Sequence, residues 1–203
     1  MTAPEHSDNE LLKLMLRGDE EALSTLYRRR QRSVYRFALQ LSGSPALAED
    51  VTQEVFLVLM RDGAGYDATR GALNSFLLGI ARNLVRQRQG REQFYAPLGD
   101  DASDGTSAEH GIMNSSPLDE MSRGETIESV RRAVLSLPSR YREVVVLCEL
   151  QELSYAEAAT ILGCAIGTVR SRLHRARALL IEKMRPATNE DERSAVKTAR
   201  CFA

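Results

Sequence analysis

Residues 154–177 read SYAEAATILGCAIGTVRSRLHRAR, and this stretch decides the fold of the carboxyl-terminal part of the chain. Ser154 followed by Glu157 is a capping box, which predicts the start of a short helix. Gly163 suits the left-handed conformation that ends such a helix. A second helix is predicted over 166–184, with an inner apolar stripe at Val169, Leu173, Ala176 and Leu180. Two short helices joined by a tight glycine turn are typical of a helix-turn-helix.

The outer face of the second predicted helix is basic and polar. Its residues are Arg170, Ser171, His174, Arg175 and Arg177. The major groove of DNA admits one α-helix and presents guanine O6 and N7 to arginine, so this face is suited to reading DNA. A basic face can also simply be solvated, but the capped partner helix in front of it favours DNA binding. We expect Arg175 to read a base and Arg177 to contact phosphate.

Two further helices are predicted directly before this stretch. The first has apolar residues at Ile127, Val130, Val134 and Leu137 and ends at Pro138. The second is predicted to be capped by Ser139 and to run through Cys148. Its run 144–147 could be taken for a strand, but the periodicity of the flanking residues favours a helix.

Charge is strongly segregated along the chain, although the net charge is only -1. Residues 167–185 hold six bases and one acid, and 82–91 hold four arginines and no acid. Residues 96–123 hold six acids and one base, together with prolines, glycines and serines and no apolar period. Because charges farther apart than about 8 Å are largely screened, local patches decide contacts with a polyanion. The acidic segment is predicted to be a flexible linker.

The amino-terminal unit, residues 7–95, is predicted to contain four helices. Their starts are indicated by Ser7, Asp19 and Ser44, the last followed by proline at the first helical position. The sequence therefore predicts an all-α protein with two small helical domains, 7–95 and 124–185, joined by the flexible acidic linker 96–123 and followed by a polar tail, 186–203.

Several classes of protein are disfavoured by composition. No apolar run approaches the roughly 18 residues of a membrane helix, and the polar start is not a signal peptide. Three separated cysteines, Cys148, Cys164 and Cys201, fit a reducing cytoplasm better than a disulfide framework. No CxxC or HExxH motif is present, so we expect no metal site, no cofactor and no catalytic residues. The sequence assigns no role to the cysteines or to the tail.

Both units resemble one family, the extracytoplasmic-function (ECF) group of bacterial RNA polymerase sigma factors. The resemblance rests on segments 48–56 (AEDVTQEVF), 76–77 with 80–83 (FL and IARN), 137–144, 153–159 (LSYAEAA) and 167–177. It covers about residues 7–185. One departure is Ala165, where the family often has a serine that caps the recognition helix.

The resemblance implies a site for each step of promoter recognition. Asp50, Gln53 and Glu54 would dock on a basic coiled coil of core RNA polymerase. Arg82, Asn83 and Arg86 would recognise and melt the minus-ten element. The basic outer face of the second helix would bind the minus-thirty-five element. The implied partners are core polymerase, promoter DNA and an anti-sigma protein, and the protein would not be an enzyme.

Two rival interpretations stay open on the sequence alone. A stand-alone helix-turn-helix regulator would explain residues 124–185 but would leave Asp50, Glu54 and the 73–87 helix without a role. A cysteine-dependent redox enzyme would require a thiol of low pKa near a base or a helix start, and only Cys164 is near one. By charge alone, the acidic docking face and the polar face around Asn83 could also be ordinary solvated surfaces.

Overall fold

The computed structural model describes residues 6–95 and 118–185, with side chains described outside 91–125. The helices are α1 (Asp8–Met15), α2 (Glu20–Ser42), α3 (Pro45–Asp62), α4 (Leu73–Tyr95), α5 (Leu118–Leu135), α6 (Ser139–Val145), α7 (Tyr155–Leu162) and α8 (Ile166–Met184). No strand occurs within these two ranges, and the predicted all-α fold class is confirmed. Most of the predicted linker and the whole tail, with Cys201, lie outside the described residues.

Helices α1 to α4 form the amino-terminal unit, and α1 to α3 begin at the predicted capping residues. The Ser7 N–H donates to the Glu10 carboxylate at 2.7 Å, and the Glu10 N–H donates back to the Ser7 hydroxyl. Asp19 and Ser44 accept hydrogen bonds in the same way at the starts of α2 and α3. Gly43 ends α2 with φ of 73°, a left-handed conformation that favours glycine.

The apolar stripes of α2, α3 and α4 face one another and form the core of this unit. Its largest fully buried side chains are Leu26, Val34, Phe37, Val51, Val55, Leu59, Leu73, Leu77 and Leu78. Two short 3₁₀ turns, Gly63–Gly65 and Ala68–Arg70, connect α3 to α4. The Tyr66 hydroxyl donates to the Gly71 carbonyl at 3.0 Å, which holds this loop against the start of α4.

Helices α5 to α8 form the second unit, and three predictions about it need correction. Helix α5 begins at Leu118, inside the segment predicted as linker, and Ile127 is exposed rather than part of the core. The early residues of α5 lack the apolar period that would have indicated a helix. Ser139 does not cap α6, because Pro138 occupies the capping position and no side-chain hydrogen bond is made there.

A π-helical turn, Val146–Leu150, continues α6. It explains the run of consecutive apolar residues, because Val144 to Leu147 are all buried. The wider spacing of the π-helical turn directs successive side chains toward α8 and toward the amino-terminal unit. The prediction of helix rather than strand for 144–147 is confirmed.

The two units pack against each other through apolar side chains of one shared cluster and through polar groups that have little access to water. The Arg82 guanidinium on α4 donates to the Glu143 carboxylate on α6 at 2.9 Å and to the Ile161 carbonyl on α7 at 3.2 Å. Arg82 is 8% and Glu143 7% exposed. The Arg142 guanidinium donates to the Leu41 carbonyl at the end of α2 at 2.9 Å. Each unit therefore supplies partners for buried polar atoms of the other.

Loss of the Glu143 carboxylate would leave the Arg82 charge buried without its ionic partner. Glu143→Ala is expected to lower the free energy of unfolding by about 3–5 kcal/mol, the usual cost of removing one partner from a buried pair. Urea unfolding followed by circular dichroism measures this change. Glu149→Ala is the matched control, because Glu149 pairs with Arg177 at the surface and such pairs contribute about 1 kcal/mol or less. Equal stability of the two variants would contradict a structural role for the buried pair.

Candidate nucleic-acid and polymerase interfaces

Helices α7 and α8 form the predicted helix-turn-helix. Gly163 ends α7 with φ of 65°, and Ser154 and Glu157 make both hydrogen bonds of the capping box. The hydrogen bonds from the Ser154 hydroxyl and N–H hold the pKa of the Glu157 carboxyl below its usual value. Ala165 at the start of α8 offers no side-chain cap, as predicted, and the Thr168 N–H instead bonds to the Ala165 carbonyl at 2.9 Å.

The structure places all of the predicted recognition residues on the exposed face of α8. They are Arg170, Ser171, His174, Arg175 and Arg177. The inner stripe of Val169, Leu173 and Ala176 is buried and anchors the helix. The exposed face therefore presents three arginines and a histidine on a rigid element, which is the arrangement needed to enter a major groove.

Three of these arginines have partners within the second unit. Arg175 donates a hydrogen bond to the Tyr141 hydroxyl, and this bond lowers the pKa of Tyr141. Arg177 bonds to Glu149 at 2.5 Å, which raises the pKa of the arginine. Arg170 lies with its guanidinium carbon 5.9 Å from the centre of the Tyr155 ring. Tyr141, Glu149 and Tyr155 were not identified from the sequence, since their positions relative to α8 depend on tertiary packing.

The three residues predicted for the minus-ten element have different environments on α4. Asn83 is exposed and lines a cavity of about 310 Å³ that is bounded by Tyr66, Phe76 and residues of α7. Arg86 is exposed, 3.9 Å from the Glu143 carboxylate. Arg82 is buried in its pair with Glu143, so it does not share the solvent-facing surface of Asn83. No local sequence pattern indicates this pairing, because Arg82 and Glu143 belong to different units.

Helix α7 closes one side of the Asn83 cavity. Glu157, Thr160 and Ile161 line it from α7, and the Ser75 hydroxyl of α4 donates to the Glu157 carboxylate at 2.9 Å. The Tyr66 and Phe76 rings also line it, with their centres 5.4 Å apart. An amide, two aromatic rings and a space larger than one base are thus brought together at the contact between the units.

The predicted docking residues share one exposed face of α3. Asp50 and Glu54, one turn apart, both form salt bridges with Arg88 of α4. From the sequence, Arg88 was only one of the four arginines of segment 82–91. Gln53 lies between them and is exposed. Directly beyond this group, Leu57 and Met60 are 63% and 50% exposed, which is unusual for large apolar side chains.

The cysteines of the described residues show no sign of a reactive site. Cys148 and Cys164 are both half-buried and free. Burial raises the pKa of the Cys148 thiol, which lowers the fraction of reactive thiolate at neutral pH. This environment gives no support to the redox interpretation.

Both units match known protein families. Residues 26–94 match Sigma-70 region 2, and residues 127–180 match Sigma-70, region 4. The ECF RNA polymerase sigma factor SigM of Mycobacterium tuberculosis is 36% identical over 178 residues, which span 87% of this chain and 84% of that protein. The chain belongs to the ECF group of RNA polymerase sigma factors. The resemblance stated from the sequence is confirmed.

Further relatives agree with this assignment. The ECF RNA polymerase sigma-E factor of Escherichia coli is 34% identical over 189 residues, which span 89% of this sigma factor and 95% of that protein. Among solved structures, the Bartonella quintana sigma factor RpoE in complex with the anti-sigma factor NepR gives a TM-score of 0.60 at 25% identity, covering 81% of this chain and 98% of that one. CnrH in complex with the cytosolic domain of CnrY has the same fold, with a TM-score of 0.63 at 22% identity.

Membership of this group gives the function. The sigma factor binds core RNA polymerase and directs promoter-specific initiation of transcription. A stand-alone helix-turn-helix regulator is not favoured, because the region 2 unit accompanies the helix-turn-helix. None of the helices within 6–95 and 118–185 is both long and apolar enough to cross a membrane.

The capping box of α7 should make stability depend on pH. Because the Glu157 pKa is lowered in the folded state, its contribution to stability is complete at neutral pH. That contribution is lost as the pH falls from the usual glutamate value of 4.5 through the lowered folded value. Thermal melting across an acidic pH series should therefore show a steeper loss for the wild type than for Glu157→Gln. Glu182→Gln, at an exposed position of α8, is the control. Equal slopes for the wild type and Glu157→Gln would contradict this role.

Proposed function

We propose that this sigma factor divides promoter recognition among three surfaces: Asp50, Gln53 and Glu54 for core polymerase, Arg82, Asn83 and Arg86 for the minus-ten element, and Arg170, Ser171, His174, Arg175 and Arg177 for the minus-thirty-five element. The observation that carries the proposal is the exposed basic face of α8 on a capped helix-turn-helix, combined with an exposed asparagine at an aromatic cavity on α4. Each surface offers the chemistry that its ligand requires.

The cavity beside Asn83 suits an unpaired base. The asparagine amide supplies a donor and an acceptor together, and aromatic faces such as Tyr66 and Phe76 can stack with any base. Arg86 adds positive charge at the same surface for the DNA backbone. Glu157 and Ile161 of α7 line this cavity. The Arg82 guanidinium is already bonded to the Glu143 carboxylate of α6. Contact of Arg82 with phosphate therefore requires α6 and α7 to move away from α4.

The Arg175 guanidinium of α8 has the Tyr141 hydroxyl of α6 as a neighbour that can orient it, and the arginine lowers the pKa of that hydroxyl. A guanidinium held in this way loses less conformational freedom when it pairs with guanine. Arg177 is paired with Glu149 and lies nearer the end of the helix, which suits a backbone contact rather than base reading.

The remaining parts of the proposal concern the setting in which the protein works. It acts in the cytoplasm and without catalysis of its own, because the polymerase performs the chemistry. An anti-sigma protein is a proposed partner. This is supported by the matched structures, in which RpoE is bound to NepR and CnrH to the cytosolic domain of CnrY.

Replacement of Asn83 tests the minus-ten assignment. Asn83→Ala should reduce transcription from a closed duplex promoter about tenfold, equivalent to about 1.4 kcal/mol, because the amide contact with the unpaired base is lost. A template with a pre-formed bubble should recover the part of this loss that comes from strand separation, but not the part that comes from recognition of the base itself. Gln87→Ala replaces another exposed amide of α4 and is the matched control. Wild-type rates for Asn83→Ala on both templates would remove this residue from the site.

Replacement of Arg175 and Arg177 separates base reading from phosphate contact. With the polymerase holoenzyme, Arg175→Ala should weaken binding to the minus-thirty-five element by about 1–3 kcal/mol and relax the preference at one base pair. Arg177→Ala should weaken all sequences alike and lower the salt slope by about one phosphate contact. Fluorescence anisotropy on single-substituted promoters over a salt series measures both.

Tyr141→Phe is the control for that comparison, because it removes the hydrogen bond to Arg175 and keeps the ring in the core. It should reproduce a small part of the Arg175→Ala effect. If Arg175→Ala and Arg177→Ala both weaken every promoter uniformly, Arg175 is a backbone contact and not a base reader.

A further inference from the structure

The acidic docking face of α3 is occupied by an arginine of the protein itself. Arg88 projects from α4 between Asp50 and Glu54; its Nη1 lies 3.3 Å from the Asp50 carboxylate, and its Nη2 forms a salt bridge with Glu54. The Arg88 side chain is 29% exposed, whereas the two carboxylates are more open to solvent. The guanidinium thus lies on the inner side of the pair and leaves the outer side accessible.

This arrangement shows which chemical group the carboxylate pair accepts. Asp50 and Glu54 are one helical turn apart and present acceptors to both ends of a planar guanidinium, the fork that arginine fits best. A second arginine lines the same surface depression without taking this place. Arg61 bonds through Nε and Nη2 to the neighbouring Asp62 carboxylate, at 3.0 and 2.9 Å.

The surface next to the pair favours a helix as the partner. Leu57 and Met60 are exposed and, with Tyr27 and Phe56, line an apolar groove that adjoins Gln53. A helix with an apolar stripe beside an arginine would cover the groove and place its guanidinium at Asp50 and Glu54. This matches the basic coiled coil of core polymerase to which the proposed function assigns this face.

We propose that Arg88 is an internal competitor for the polymerase-docking site, so that core binding exchanges one guanidinium for another at Asp50 and Glu54. The inference rests on the proposed docking function of these two residues. An arginine of core polymerase displaces Arg88 from the carboxylates, and Arg88 turns outward to solvent on the end of α4. The competitor weakens the association with core polymerase and gives preference to a partner that brings both the arginine and the apolar stripe.

The exchange is physically accessible because the pair is near the surface. Ion pairs of this exposure contribute little to stability, so displacement of Arg88 is not prohibitive. The same reasoning sets the size of the effect. Removal of the competitor should tighten core binding by about three- to fivefold, the upper part of the range that a surface pair allows. The gain should shrink as ionic strength rises, because exposed charges are screened.

The experiment measures the affinity of the full-length protein for core RNA polymerase, with thermal melting recorded for every variant. Arg88→Gln removes the competitor and keeps a polar side chain. Arg61→Gln is the matched control, since it removes the same charge from the same depression without vacating the carboxylate pair. The double variant Asp50→Asn, Glu54→Gln removes both carboxylate charges of the site. Adding Arg88→Gln to this double variant completes a double-mutant cycle between the arginine and the carboxylate pair.

We expect Arg88→Gln to bind core polymerase about three- to fivefold more tightly than the wild type, with Arg61→Gln within about 1.5-fold of it. The gain should disappear in the background that lacks both carboxylates. Weaker binding by Arg88→Gln, or a gain matched by Arg61→Gln, would overturn the exchange while leaving the docking face intact. Unchanged affinity when both carboxylates are neutralised would instead overturn the docking assignment and the exchange with it.

Discussion

The contact between Arg82 and Glu143 constrains the rest of the structure, because two opposite charges taken out of water must stay together. The arginine belongs to α4 and the carboxylate to α6, so the pair can persist only while the two units are docked. Two further hydrogen bonds also join the two units. The Arg142 guanidinium donates to the Leu41 carbonyl, and the Gln151 side-chain amide donates to the Gln40 side-chain oxygen at 2.9 Å. These polar bonds lie beside apolar contacts, because the buried side chains of the two units belong to one hydrophobic cluster.

A common feature of the proposed interfaces is that the protein supplies its own counter-charges. Arg82, Arg88 and Arg177 each bond to an internal carboxylate, and the net charge of the chain is only -1. Under the proposed function, a phosphate would compete with Glu143 or Glu149 for its arginine, and a polymerase arginine would compete with Arg88 for Asp50 and Glu54. Arg170 and His174 of α8 face solvent. Under the proposed function, the start of α8 and the exposed Asn83 and Arg86 of α4 would bind DNA as they stand, whereas contact of Arg82 with DNA would require α6 and α7 to move.

Much of the fold followed from local sequence signals, and the parts that did not are those governed by tertiary packing. Ser7, Asp19, Ser44 and Ser154 specify helix starts through hydrogen bonds to residues two or three positions away, so the sequence alone identifies them. The start of α5 has no apolar period to indicate it. The exposed placement of the α8 residues was predictable from the helical stripe, but the burial of Arg82 was not, because its partner is 61 positions away in sequence. The role of Arg88 was hidden for the same reason.

The π-helical turn Val146–Leu150 has a consequence for comparing this chain with its relatives. The turn holds one residue more than an α-helical turn, and the Gln151 N–H accordingly bonds back to the Val146 carbonyl. A relative that crosses this stretch with α-helix alone would be one residue shorter and would still present the same faces on both sides. An alignment should therefore permit a single-residue gap between Glu143 and Leu153. Evolution can add or remove a residue here while the helix-turn-helix that follows keeps its register.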